Sequence, residues 1–93
     1  PVVCLGWLGE RAVGLGVCEG DYLGLFDIVV DREQRQQGLG RALVTSLLAW
    51  GRDQGAQTAY LQVVATNLPA MRLYQSLGFR LHHRYWYRTK GFL

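Results

Sequence analysis

Residues 35 to 43 read Arg35-Gln36-Gln37-Gly38-Leu39-Gly40-Arg41-Ala42-Leu43. Before them stands Ile28-Val29-Val30, a β-branched run that favours a strand. After them Leu39, Leu43, Leu47 and Trp50 recur at helical spacing, with Ala42 and Ser46 on the same face. A strand that feeds a helix through a glycine-bearing turn is the unit of α/β folds. The pattern predicts an amphipathic helix from about Gly40 to Gln54, with Gly55 where a helix C-cap belongs.

The same junction is a candidate binding loop. Two glycines around one apolar residue let the backbone turn tightly and approach a ligand. The first N–H groups of a helix have no internal partner, and the dipole favours an anion in front of them. Arg35 and Arg41 add positive charge, so a diphosphate is the natural guest. A lone Gly-x-Gly also fits a plain strand-to-helix turn with solvated charges. Two other phosphate loops fit poorly. The dinucleotide fingerprint wants a small residue at position 43, where Leu43 stands. The Gly-Lys-Ser/Thr of a P-loop is absent.

Upstream, Val2–Leu8, Ala12–Cys18 and Tyr22–Val30 read as strands separated by the short turns Gly9-Glu10-Arg11 and Glu19-Gly20-Asp21. Short turns between three strands imply an antiparallel meander. Gly14 and Gly16 suggest a bulge or a close backbone approach in the second strand. Downstream, Tyr60–Ala65 reads as a strand. Thr66-Asn67 is an N-cap signal, and Pro69 suits the first turn of a helix over Leu68–Leu77, closed by Gly78. Phe79–Arg88 reads as one last strand. The expected order is β-β-β-α-β-α-β, an α/β sandwich with a mixed sheet.

Composition sets the class. The 93 residues suit a single domain, 1–93. With 49% hydrophobic and 18% charged residues the chain is ordinary globular protein, not disordered. The longest apolar run, around Ile28–Val30, is far below the roughly 20 residues of a membrane span. No signal peptide is visible, and no membrane partner is expected. Cys4 and Cys18 are too few to staple a secreted domain, so a cytoplasmic setting is expected. They read as small buried apolar residues. The net charge of +3 suits an acidic partner. The basic residues are scattered, so no nucleic acid is expected. No spacing suggests a metal. His82 and His83 are adjacent on a strand and point to opposite faces, so they read as structural or surface residues.

The stretch Leu25–Val30, Asp31 and Arg35–Leu43 resembles the acetyl-CoA motif of the GNAT superfamily, Gln/Arg-x-x-Gly-x-Gly/Ala after a strand and before a helix. Asn67, Ala70, Leu73-Tyr74 and Gly78-Phe79 are similar to the second family pattern, Asn-x-x-Ala-x-x-Leu-Tyr-x-x-x-Gly-Phe. Arg84–Arg88 also looks like the ending of bacterial members. The resemblance is good over about residues 22 to 80. It implies a three-layer GNAT sandwich whose first strand and two helices are missing here. It also implies an enzyme, an acetyl-CoA-dependent N-acetyltransferase acting on a primary amine of a small molecule or protein.

By that resemblance, the backbone of Ile28 and Val30, with Val29 between them, would receive the pantetheine arm as an added strand. Arg35 stands at the motif's first position, and Gln36, Gln37, Gly38, Leu39, Gly40 and Arg41 would cradle the pyrophosphate. Asn67 would contact the cofactor, a role compatible with an ordinary N-cap. Tyr74 would protonate the leaving thiolate. A phenol, with a pKa of about 10 against about 8.5 for a thiol, is a sensible donor. Spacing alone reads Tyr74 as a core aromatic beside Ala70, Leu73 and Leu77. Several relatives carry Glu as a base where this chain has Gln62, which cannot take a proton; Asp27 is a weak substitute. A non-catalytic acyl-CoA-binding module is the alternative. An open sheet edge would favour dimerisation.

Overall fold

The computed structural model describes residues 2–8, 12–30, 38–62, 68–83 and 86–90. They form one six-stranded sheet and two helices. The elements run β1 (Val2–Leu8), β2 (Ala12–Glu19), β3 (Tyr22–Val30), α1 (Leu39–Asp53), β4 (Thr58–Gln62), α2 (Leu68–Ser76), β5 (Arg80–His83) and β6 (Trp86–Lys90). The sheet order is β1-β2-β3-β4-β6-β5. The β1–β3 meander is antiparallel, β3 and β4 are parallel, and β6 is antiparallel to both β4 and β5. The sheet is therefore mixed, as expected for a meander followed by crossover helices.

The expected last strand over Phe79–Arg88 is corrected to two strands. β5 and β6 pair with each other, His83 opposite Trp86 and Arg80 opposite Arg88. The segment His83-Arg84-Tyr85-Trp86 contains no Gly, Pro, Asn or Asp, so no turn residue marks the reversal. The fourth strand starts at Thr58 rather than Tyr60, and α1 starts at Leu39.

Both helices stop by the same device. Gly55 and Gly78 lie at φ 96°, in the left-handed region. Ala56 N donates to Gly51 O at 3.0 Å and Gly55 N to Arg52 O at 2.9 Å. Phe79 N donates to Tyr74 O at 2.9 Å and Gly78 N to Gln75 O at 3.1 Å. These are paired Schellman closures, and a residue with Cβ would be strained at either glycine. The second closure also brings Phe79 onto Tyr74, with ring centroids 5.9 Å apart in an edge contact.

The core lies between the helices and one face of the sheet. Leu43, Val44, Leu47 and Leu48 of α1 pack with Leu23, Leu25, Ala59 and Leu61 of the central strands, and with Tyr74 and Phe79. Each buried Leu contributes roughly 1.5–3 kcal/mol by its removal from water. Helix α1 approaches the sheet closely because its partners lack side chains. A Cβ at Gly6 would lie 3.2 Å from both Leu43 and Leu47, and one at Gly16 would lie 3.2 Å from Trp50. Cys18 is buried here, with its thiol 4.0 Å from Gly51 O. Burial, and then neighbouring Cys4, push that thiol's pKa up, so it stays protonated.

The opposite face of β1–β3 is apolar and open. Val3, Leu5 and Trp7 pair with Val17, Leu15 and Val13, and Val13 with Val29. Trp7 is 64% exposed and Val29 58%. The described residues supply a sheet and one helical layer, and place no helix over this face.

Candidate active site at the split between β3 and β4

The pairing of β3 with β4 ends early. Tyr22 to Leu25 of β3 match Thr58 to Leu61 of β4, and no described pairing on that side continues over Phe26–Val30. The cause is visible on the other flank. Opposite β2, the register jumps between Val13↔Val29 and Leu15↔Phe26, so Gly14 faces both Asp27 and Ile28. This is a β-bulge, with Asp27 at φ 53°. A bulge bends its strand and increases local twist, which turns the outer half of β3 away from β4. Asp is among the few residues that accept the left-handed region. The open flank of β3 is thus a row of backbone groups at the carboxyl ends of two parallel strands, where α/β folds bind ligands.

Helix α1 aims its first turn at this split. It runs antiparallel to β3. Its Leu43 and Leu47 lie over Gly14 beside Ile28, near the end of β3, while Gly51 meets Leu23 near the start. The N-cap is Gly38 at φ 76° and ψ 14°, with no side-chain cap and no acidic residue in the first turn. Among the described residues, Ala42 N is the first to close onto the helix, on Gly38 O at 3.0 Å. The preceding N–H groups point outward from a positive helix end that no acidic residue of its own first turn neutralises. A Cβ at Gly38 would meet nothing within 4 Å among the described residues, so this glycine answers to backbone conformation.

Tyr74 reaches the site through α2. Arg41, in the first turn of α1, donates from Nη2 to Ser76 Oγ at 2.6 Å. Ser76 in turn donates to Leu73 O at 2.6 Å. The last turn of α2, which holds Tyr74, therefore sits beside the first turn of α1. Tyr74 is 6% exposed, and burial raises its pKa above the usual 10. Its hydroxyl stays protonated at neutral pH, with no hydrogen-bond partner among the described residues.

Of the expected site residues, Ile28, Val29 and Val30 lie on the open half of β3, and Gly38, Leu39, Gly40 and Arg41 form the start of α1. Ile28 is half-buried against Gly14, Val29 is exposed and Gly40 is buried. Tyr74 is both a core residue and a neighbour of the site. Arg35, Gln36, Gln37 and Asn67 lie outside the described residues. Gln62 is exposed at the end of β4, one residue past the last β3 pairing. Asp27 is the bulge residue, which gives it a structural role. No cluster able to hold a metal occurs among the described residues.

Two features escaped the sequence. Phe26 and Tyr60 pack edge-on at 6.1 Å where the split begins. Alternation could have placed both on one face, but not their contact. The Arg41–Ser76 bond joins residues 35 apart and has no local signal.

Comparison with known proteins agrees with this geometry. Residues 8–88 match the family described as "Probable histone acetyltransferase Rv0428c C-terminal". The chain is 47% identical over 76 residues to N-acetyltransferase 8 of Homo sapiens, covering 82% of this chain and 34% of that protein. It is 40% identical over 74 residues to the [ribosomal protein bS18]-alanine N-acetyltransferase of Escherichia coli, covering 76% of this chain and 50% of the relative. The chain thus spans a third to a half of these relatives. The crystal structure of the ribosomal-protein-S18-alanine N-acetyltransferase from Escherichia coli superposes with a TM-score of 0.81 at 29% identity, over 95% of this chain and 66% of that one. The open strand, the uncapped helix and the two sequence motifs thus meet in one place because this chain belongs to the GNAT family of N-acetyltransferases.

Proposed function

We propose that this chain binds acetyl-CoA in the β3–β4 split and transfers the acetyl group to a primary amine by direct attack on the thioester. The observation that supports this most is the end of β3–β4 pairing at Leu25 and Leu61, directly before the residues that face the uncapped start of α1. An extended pantetheine arm fits the backbone edge of Ile28–Val30 as an added strand. A pyrophosphate fits the first-turn N–H groups of α1. A fold neighbour, the PaiA N-acetyltransferase from Thermoplasma acidophilum, was crystallised in complex with coenzyme A.

The chemistry balances without a redox partner. A neutral amine attacks the thioester carbonyl carbon, the tetrahedral intermediate collapses, and the C–S bond breaks. The Tyr74 hydroxyl gives its proton to the leaving thiolate, and the attacking nitrogen releases one to solvent, from which the phenolate regains its proton. Burial raises the Tyr74 pKa and so keeps the donor loaded at neutral pH.

Gln62 cannot accept a proton, which favours an acceptor that is already largely neutral at pH 7 over one that needs a base. Deprotonating a lysine amine at pH 7 costs roughly 4–5 kcal/mol, against about 1 kcal/mol for an α-amine. An α-amino acceptor is the easier one, and the alanine in the E. coli relative's name supports that reading. Gln62 also favours the second reading, an acyl-CoA-binding module without turnover. Thiol release from acetyl-CoA at pH 7, with an α-amine peptide and a lysine-type amine in parallel, separates these. The proposal expects faster release with the α-amine and about a 100-fold lower kcat in Tyr74→Phe, which keeps the ring contact with Phe79. Equal rates for the two amines contradict the acceptor assignment. Binding without any turnover supports the module.

A further inference from the structure

We infer that Arg41 and Ser76 form a clamp that positions Tyr74 against the first turn of α1, so that Arg41 acts through Ser76 rather than as a charge on the pyrophosphate. This rests on the function proposed above and deepens it. The clamp is continuous from one helix to the backbone of the other. Arg41 Nη2 donates to Ser76 Oγ, and Ser76 Oγ donates to Leu73 O, both at 2.6 Å. A hydroxyl has one proton and two acceptor lone pairs, so Ser76 can make both bonds at once. A guanidinium donor makes the first of them charge-assisted, roughly twice as strong as a neutral bond. Leu73 O also accepts from Leu77 N at 3.2 Å, so the clamp ends in the turn that holds Tyr74.

Electrostatics point the same way. Helix α2 has no basic residue in its last turn. Its C-terminal end carries a partial negative charge that its own sequence does not offset. Arg41 supplies the cation from α1. A side chain committed at 2.6 Å to a serine two residues beyond Tyr74 fixes the distance between the two halves of the site. The bond is exposed, so its contribution to global stability is small. Its contribution to rate is larger, because a misplacement of about 1 Å in a reacting group can lower a rate about 100-fold.

The test compares Arg41→Ala, Ser76→Ala, the double variant and Arg41→Lys in two measurements. In thiol release from acetyl-CoA with an α-amine peptide, each single variant should lower kcat about tenfold and leave KM for acetyl-CoA within about twofold. The double variant should be no worse than either single one, because both remove the same bond. Arg41→Lys should recover part of kcat. In NMR spectra of the free protein, the Tyr74 ring resonances should move alike in Arg41→Ala and Ser76→Ala. Arg41→Ala raising KM about tenfold while Ser76→Ala changes nothing would overturn the clamp and make Arg41 a cofactor contact. Additive losses, or Tyr74 resonances that ignore Ser76→Ala, would also overturn it. The NMR arm needs no turnover. A wild-type chain without acetyl-CoA binding would therefore refute the proposed function, while the ring resonances still decide the clamp.

Discussion

The two halves of β3 behave as different structures. Tyr22–Leu25 is paired on both flanks, by β2 and by β4, and its Leu23 and Leu25 are at most 2% exposed. Phe26–Val30 keeps β2 on one flank only among the described residues, and Val29 is 58% exposed. A single bulge residue, Asp27 at φ 53°, stands at the change. Hydrophobicity does not separate the two halves, since both are mostly apolar, although the β-branched residues Ile28, Val29 and Val30 all lie in the second. One half stabilises the fold, and the other leaves backbone groups for a ligand. The helix that follows is built to match. Its C-terminal half presses on the paired segment through Gly51 and Leu23, while its bare N-terminus faces the open one.

The largest expected effect falls on the paired half. Leu25→Ala should lower unfolding free energy by about 3 kcal/mol in denaturant titration, since it empties a site between sheet and helix. A loss below about 1 kcal/mol would mean that this half is not the structural anchor. Gly38→Glu comes next. Saturation at ~100 times the dissociation constant of acetyl-CoA adds roughly 2.7 kcal/mol of stability, and this variant should lose that gain. Its carboxylate would stand in the anion position, on a residue strained at φ 76°. Asp27→Val is the smallest and most pointed change. A β-branched residue in the left-handed region costs about 1–2 kcal/mol, seen as a lower melting temperature. If the bulge instead straightens, β3 gains pairing toward β4 and acetyl-CoA stabilisation shrinks. Unchanged stability and unchanged cofactor response would remove the bulge from the account.

Much of this was legible in the chain. The βα junction stood out because Ile28-Val29-Val30, two glycines and a leucine repeat change the hydrophobic period abruptly. Gly55 and Gly78 marked helix ends because only a glycine is comfortable at their φ of 96°. Gly14 and Gly16 signalled a close approach, and α1 is what approaches. The β5–β6 reversal was hidden because its residues, His83 to Trp86, are not turn formers. Gly14 marked the place of the bulge, but that its left-handed residue is Asp27 on β3 was hidden, because an aspartate in a strand has many explanations. The Arg41–Ser76 bond depends on how two helices dock, which no local pattern encodes.

Amide hydrogen exchange along β3, with and without saturating acetyl-CoA, tests the central claim most directly. Exchange in Phe26–Val30 should slow when the cofactor is bound, with Tyr22–Leu25 already protected and little changed. Exchange in Phe26–Val30 that stays the same despite bound acetyl-CoA would contradict the claim, and would place the cofactor elsewhere on the molecule.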